Sequence, residues 1–308
     1  MRVGLLNVDS VKIPNLALLK ISAWHRNRGD TVEILNDKLW YDLVYASKVF
    51  TFSDGSEINA ERMITGGTGI DPSSRLPTNI EACNPGPEDY ELFGYPHSIG
   101  FTSRGCRNRC KFCVVPEAEP ARRDRKVYSV RTIGQIWVNR DSRLIVLLDS
   151  DFFGQETDHW KARIDEIVDL DLLPCFSQGI NIRLITEDQA AALARLKFRN
   201  LKGTKKQIHF AWDRIKDEKA VLCGIDRCLA AGLKPNQMAF YVLVGFDTTP
   251  EEDMYRVVTL RDLGCDPFVM PWNKSDPYQR KFARWVNHKA IFKTIEWSEY
   301  RDAVRNPT

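Results

Sequence analysis

The sequence has no uninterrupted apolar run long enough to cross a membrane. Its N-terminus, Met1-Arg2-Val3-Gly4-Leu5-Leu6, lacks the apolar region and small-residue cleavage site of a signal peptide. The expectation is a cytoplasmic protein with no membrane partner. Charge of one sign is also scarce: 44 Lys and Arg against 41 Asp and Glu leave a net +3. That gives no overall electrostatic case for nucleic acid. There is no repeat of solenoid period and no low-complexity tract. A second C-x2-C pair is missing too, and a structural zinc site usually has one. In a cytosolic chain the eight cysteines read as thiols and metal ligands rather than as a disulfide framework.

What is present fits an ordinary soluble chain of two domains, with 308 residues, 43% hydrophobic and 28% charged. Residues 2–8 read as a core strand and 14–27 as a helix, with further strands at 31–35, 42–46 and 63–64. Strands alternating with helical segments predict a small, doubly wound, parallel α/β unit. Gly66-Gly67-Thr68-Gly69 follows its fourth strand, where a glycine turn lets backbone approach a ligand or simply closes a loop. Residues 70–96, rich in Pro, Gly, Asn and Asp, read as a linker. From residue 97 six strands are expected, at 97–102, 143–149, 174–181, 207–212, 237–245 and 266–272. Helices are expected near 129–139, 156–169, 186–196, 215–231 and 249–263. Six βα units are too few for a closed eight-stranded barrel. Residues 273–308, aromatic and basic, read as a helical cap over an open side, with a substrate-contacting tail as the other reading. The expected organisation is therefore 1–90, 91–275 and 276–308.

The stretch that carries chemistry is Gly105-Cys106-Arg107-Asn108-Arg109-Cys110-Lys111-Phe112-Cys113. Three cysteines at C-x3-C-x2-C spacing follow the apolar run Ser98-Ile99-Gly100-Phe101 and so sit on one tight loop at a strand end. Thiolates hold iron–sulfur clusters, and a four-iron cube normally takes four. Three thiolates leave one iron open. The loop resembles the signature of the radical S-adenosylmethionine (SAM) enzymes, C-x3-C-x-aromatic-C, with Phe112 at the aromatic position. The lead-in Phe-Thr-Ser-Arg-Gly-Cys (101–106) resembles the branch with an N-terminal cobalamin-binding-like domain, which includes methyltransferases and methylthiotransferases.

That resemblance implies a fold: a Rossmann-like first domain and a six-stranded (β/α)6 partial TIM barrel. It implies a 4Fe-4S cluster on Cys106, Cys110 and Cys113, with SAM on the open iron. Reductive cleavage of SAM then yields a 5′-deoxyadenosyl radical, fed by a donor such as flavodoxin or ferredoxin, that modifies an unidentified substrate. Transfer of a group such as methyl is the favoured outcome, but fold does not fix reaction. Asp149 and Asp151, at the second strand's tip, are candidates for the SAM ammonium, with an N-cap role as the other reading. Asn181 and Arg183 are expected on one strand face, Arg183 either gripping the SAM carboxylate or in a surface ion pair. Asp213, Gly245 and Met270, near the ends of the last three strands, complete the expected cofactor contacts.

The other cysteines, Cys83, Cys175, Cys223, Cys228 and Cys265, read as small hydrophobes. Basic stretches at 122–126 and 195–206 leave RNA or protein modification open, though no aromatics interleave them. A non-catalytic iron–sulfur or nucleic-acid-binding protein is the rival of another class. Cobalamin is disfavoured by the residues. The D-x-H-x-x-G pattern falls on Asp9-Ser10-Val11-Lys12-Ile13-Pro14, with Val11 for the histidine and Pro14 for the glycine. His25, the first domain's histidine, lies far from that loop in sequence. Only Gly66-Gly67 could line a ligand-free pocket, in a domain short for so large a cofactor.

Overall fold

A computed structural model describes residues 1–9, 13–50, 60–122 and 126–303. The chain is α/β, with mostly parallel strands. It divides into two compact units, Met1–Ser150 with Asp169–Leu172, and Asp151–Val168 with Leu173 onward.

The first unit opens with β1 (Arg2–Asn7), α1 (Leu16–Arg26), β2 (Thr31–Ile34), β3 (Leu43–Ser47) and β4 (Met63–Gly66). The strands pair in parallel in the order β2-β1-β3-β4. Asn15 starts α1 by accepting the Ala17 N–H. Leu18 and Ile21, three apart on α1, pack with Val3, Leu5 and Val32 into a buried cluster.

The segment expected to be a linker is packed instead. It holds α2 (Thr78–Glu81) and α3 (Pro87–Leu92). Ile80 joins the same cluster, and Lys20 of α1 pairs with Glu81. The buried Tyr90 hydroxyl donates to the Ile99 carbonyl at 3.2 Å and accepts its N–H at 3.1 Å. Two short helices therefore stitch residue 99 to the N-terminal sheet. This is why the first unit runs to Ser150 rather than ending near residue 90.

Beyond them come β5 (Ser98–Gly100), β6 (Ser103–Gly105), α4 (Val115–Ala118), β7 (Val127–Ser129), α5 (Ile133–Ile136) and β8 (Leu144–Leu147). β5 and β8 are parallel, whereas β6 and β7 form an antiparallel pair that sequence reading had not foreseen.

The second unit contains α6 (Thr157–Asp169), β9 (Leu173–Phe176), α7 (Glu187–Ala194), β10 (Ile208–Ala211), α8 (Glu218–Ala230) and β11 (Met238–Val244). It continues with α9 (Pro250–Asp262), β12 (Asp266–Pro271), α10 (Pro277–Asn287), α11 (Lys289–Thr294) and α12 (Trp297–Ala303). β10, β11 and β12 are parallel neighbours. Capping boxes at Thr186 with Gln189 and at Thr249 with Glu252 fix the starts of α7 and α9. All six expected strands are present, but the third stops at Phe176 instead of reaching 181.

The C-terminal helices are present, and α10 works on a sheet edge. Asn287 accepts the Val269 N–H at 2.7 Å and donates to its carbonyl at 2.9 Å. That satisfies backbone groups an outer strand would leave bare. It covers the edge of β12 and leaves Phe268, Met270 and Trp272 between 43% and 52% exposed.

One fully buried charge ties strand ends to a helix. Arg256 of α9 donates to the Trp212 carbonyl at 2.8 Å and the Leu243 carbonyl at 3.0 Å, and pairs with the buried Asp253. Breaking a buried pair from one side leaves a bare charge. Arg256→Ala is therefore expected to lower unfolding stability by about 4 kcal/mol. Arg256→Met combined with Asp253→Leu should recover a good part of that in the same denaturant titration. A single variant as stable as the parent would refute the account.

Candidate functional site

The lead-in to the cysteine loop is a set of anchors, one residue after another. Thr102 and Ser103 turn their N–H groups and hydroxyls onto the buried Asp149 carboxylate, three of the four bonds at 2.6 Å and the Thr102 N–H at 3.2 Å. Burial outweighs these donors and holds the Asp149 carboxyl above the usual carboxylate range. Arg104 lies over the Phe101 ring, 3.9 Å from its centre. It also pairs with Glu119 at 3.2 Å. Gly105 has φ +92°, and a Cβ there would fall 2.0 Å from the Lys126 carbonyl of the strand opposite. Only glycine fits. Its N–H donates to Glu119 at 2.7 Å. Glu119, buried, thus clasps both residues just before the loop from a point beyond its end.

Between these anchors stand Cys106, Cys110 and Cys113, all half-buried, with Phe112 half-buried beside them. The Cys113 N–H donates to the Cys110 carbonyl at 3.0 Å, forming a tight turn. The Cys106 sulfur accepts the Asn108 N–H at 3.4 Å, and the Cys113 sulfur accepts the Val115 N–H at 3.5 Å. Among the described residues, no three His, Cys, Asp or Glu side chains converge as a metal-holding group, and these thiols are no exception. The donor set nonetheless suits an iron–sulfur cluster: three thiols on one anchored loop, two already accepting the N–H bonds that tune such sulfurs. The loop hangs from β6 of the antiparallel pair, not directly from a parallel strand as expected.

The second unit offers a separate feature, an open sheet face. Register sets Ala211 beside Tyr241 and Phe268, and Leu243 beside Met270. By the two-residue period of strands, His209, Tyr241, Phe268 and Met270 all project from this face. His209 stacks on Tyr241 with ring centres 4.8 Å apart and 10° between planes. Burial holds its imidazole below the ordinary pKa, hence neutral near pH 7. The Ile180 N–H donates to the His209 carbonyl at 2.8 Å, so residues 180–181 run alongside β10. Ile180 and Ile182 are buried and Asn181 between them is half-buried, with its amide nitrogen inaccessible and without a hydrogen-bond partner.

Several expected contacts are corrected by this geometry. Asp149 faces inward, and its oxygens serve Thr102 and Ser103 rather than a ligand. Asp151 is buried at the start of a 3-10 turn over Phe152–Gly154, and its carbonyl accepts the Gly154 N–H. Arg183 shares no strand face with Asn181, because Ile182–Leu184 form a 3-10 turn. Its guanidinium pairs with Asp217 at 2.9 Å, as does Arg214. Arg183 also borders a cleft of about 690 Å³ with Arg227 and the acidic start of α7. Gly245 has φ +78°, but a Cβ there would strike the Gln279 amide at 2.1 Å, so it admits the side chain of α10 and not a cofactor. Asp213, held above the carboxylate range by burial, accepts the Leu243 N–H at 3.2 Å. Met270 is exposed on the open face.

The first unit's glycine turn has a local reason as well. A Cβ at Gly67 would fall 2.3 Å from the Lys48 carbonyl, and one at Gly69 would meet the Phe50 backbone at 2.8 Å. Both ring nitrogens of His25 are engaged, by Asp30 at 2.7 Å and by the Tyr45 hydroxyl at 3.2 Å, so it offers no lone pair to a metal. Asp9 accepts the N–H groups of Val49 and Phe50. Residues 10–12 of the D-x-H-x-x-G comparison lie outside the described residues, as do 123–125 of the first basic stretch. In the second basic stretch Arg195 pairs with Asp165 and Lys206 lies over the Phe198 ring.

No family model matches the chain, and no curated protein matches it. The residues carry the functional reading alone. Sequence reasoning missed Glu119, Thr102 and Ser103 as parts of the site. Thr102 and Ser103 stood in the quoted lead-in, while nothing in the spacing of Glu119 marked it.

Two expectations follow. Asp149→Ala strands two N–H groups and two hydroxyls in a buried position and should lower stability by about 3 kcal/mol in denaturant unfolding. An unaltered midpoint would show that the carboxylate anchors nothing. The thiols should also divide. Cys175, Cys228 and Cys265 are buried, and burial pushes each up to about 12, keeping them un-ionised and unreactive at pH 8. Iodoacetamide with mass-spectrometric readout should label Cys83, Cys106, Cys110, Cys113 and Cys223 first. Labelling of Cys228 as fast as the exposed Cys223 would contradict the packing.

Proposed function

We propose that this chain is a radical SAM enzyme that modifies an as yet unidentified substrate, with group transfer as the favoured outcome. The observation that carries the reading is the three-thiol loop whose root is held twice, by Asp149 on Thr102 and Ser103 and by Glu119, from beyond the loop, on Arg104 and Gly105. Cys106, Cys110 and Cys113 would hold a four-iron cluster with one open iron. Bound there, the cluster would supply the electron that cleaves SAM reductively to methionine and a 5′-deoxyadenosyl radical.

The chain's own residues have defined tasks in this reading. Asp149 and Glu119 fix the root of the loop, so that three thiols separated by flexible side chains start from one backbone position. The backbone N–H groups of Asn108 and Val115 donate to two of the sulfurs and stabilise their thiolate form. Asp149 is a positioning residue and not a contact for the SAM ammonium. The finer architecture belongs to the same proposal: a Rossmann-like first unit and a partial barrel of six strands. The parallel pairings of β5 with β8 and of β10, β11 and β12 support it.

The test is anaerobic reconstitution followed by iron and sulfide counts. The parent chain should hold about four of each, and a Cys106/Cys110/Cys113→Ala variant should hold almost none. Reduced holoprotein given SAM should release 5′-deoxyadenosine slowly, even with no substrate. Iron retained in full by the triple variant would remove the foundation of the proposal.

A further inference from the structure

The cleft beside the start of α7 lies outside the residues that the cysteine chemistry uses. Its volume of about 690 Å³ is within the range of small-ligand sites. One close contact shapes its wall. A Cβ at Gly224 of α8 would fall 2.2 Å from the Ile182 carbonyl, so glycine lets the Ile182–Leu184 turn lie directly on this helix. Arg227, three residues further on the same face of α8, then donates to the Ile185 carbonyl at 2.9 Å.

That carbonyl is neutral, and among the described residues Arg227 makes no ion pair. Its half-buried guanidinium keeps a full charge and donors to spare. Arg183, on the same cleft, shares its carboxylate. Asp217 accepts Arg183 at 2.9 Å, while Arg214 grips both of its oxygens at 2.9 and 3.0 Å. One carboxylate thus serves two guanidiniums, which leaves positive charge in excess beside Arg227. The other side of the cleft is acidic. Glu187 and Asp188, in the first turn of α7, are exposed and make no ion pair among the described residues. Between the two sides the backbone is extended at Ile185 (φ −67°, ψ 133°) and at Thr186 (φ −94°, ψ 169°). Two extended residues separate the cationic from the acidic side by roughly 7 Å. Leu184, 41% exposed, and the buried Trp160 add apolar surface to the same cleft.

We propose that this cleft binds the carboxyl end of a peptide whose next-to-last residue is basic. The terminal carboxylate takes the free donors of Arg227 and faces Arg183, the pairing that a guanidinium fork suits best. The basic side chain lies against Glu187 and Asp188, and the terminal side chain rests on Leu184. A free α-amino acid does not fit, because its two charges stand one carbon apart. A phosphate dianion fits less well, because the acids on the rim repel its second negative charge. The proposal stands on the cleft alone and does not require the radical reading.

The experiment is a calorimetric titration of the full chain with acetyl-Lys-Phe at low salt. Saturable binding is expected, and added salt should weaken it. Acetyl-Lys-Phe amide lacks the carboxylate, acetyl-norleucyl-Phe lacks the cation, and each should bind about tenfold more weakly. Arg227→Met should lose about as much. Arg227 also holds the Ile185 carbonyl, so the deciding variant exchanges charge at exposed residues instead. Glu187→Lys with Asp188→Lys should lose acetyl-Lys-Phe and take acetyl-Glu-Phe in its place, an exchange that a purely structural role does not produce. Three results each overturn the proposal: no saturable heat with acetyl-Lys-Phe, equal affinity for its amide, or a charge-exchanged variant that keeps the parent's preference. Displacement by inorganic phosphate at a lower concentration than the dipeptide assigns the arginines to a phosphorylated ligand and overturns it as well.

Discussion

The cysteine loop depends on one carboxylate. Asp149 leaves the end of β8 and collects hydrogen bonds from two consecutive residues, Thr102 and Ser103, just after β5. β5 and β8 are already paired through their backbones. The carboxylate extends that pairing past the end of the ladder into a stretch that would otherwise be free loop. Everything after Ser103 inherits its position from this bond set. Arg104 can then reach both Phe101 and Glu119, and Gly105 can pass close enough to the Lys126 carbonyl to start the turn into Cys106. A buried carboxyl is expensive, and here burial raises its pKa in spite of four donors. Such a group is kept when it specifies one arrangement of neighbouring chain, and the neighbouring chain here bears the three thiols.

The second unit solves a different problem. Its parallel strands are covered on one side by α8 and α9, whose buried faces hold Val221, Ile225, Cys228, Val257 and Leu260. Its outer strand is finished by Asn287, and the carbonyls at the strand ends are taken by Arg256. On the other side of the sheet Tyr241 and His209 stack on each other, and Phe268, Met270 and Trp272 are about half exposed. A fold that satisfies an outer strand's backbone through an asparagine, yet leaves three large apolar side chains bare, has distinguished its edge from its face.

The sequence made the elements legible because period and punctuation agree. Leu18 and Ile21 on α1, the capping pairs Thr186 with Gln189 and Thr249 with Glu252, and the run Met238–Val244 each announce one structure. It misled where composition stood in for packing. Residues 70–96 are rich in turn formers, yet Ile80, Leu92 and Phe93 pack into the first unit's core and the Tyr90 hydroxyl bonds the Ile99 backbone. Asp149, Arg183 and Gly245 had the right chemistry at the right strand ends for a ligand. Their partners, Thr102, Asp217 and Gln279, lie 34 to 47 residues away, and no local pattern could reveal them. The thiol loop was readable because its spacing is local. Asn181 was singled out alone, and the row that sets it beside Ala211, Tyr241 and Phe268 exists only once strands are paired.

The composition of the thiol loop follows from electrostatics. Cysteines in an isolated peptide are mostly protonated near neutral pH, their pKa being about 8.5, and three thiolates on one short segment would in addition repel one another. Arg107, Arg109 and Lys111 alternate with the cysteines, with Arg109 and Lys111 exposed. Each cation stands within three residues of two of the cysteines along the chain. The opposite charge that could undo this, Glu119, is buried and engaged by Arg104 and the Gly105 N–H. Glu119 is thus spent on holding the loop. Under the proposed function, that basic setting would offset the repulsion among three gathered thiolates with side chains that add little bulk to the backbone path of the loop.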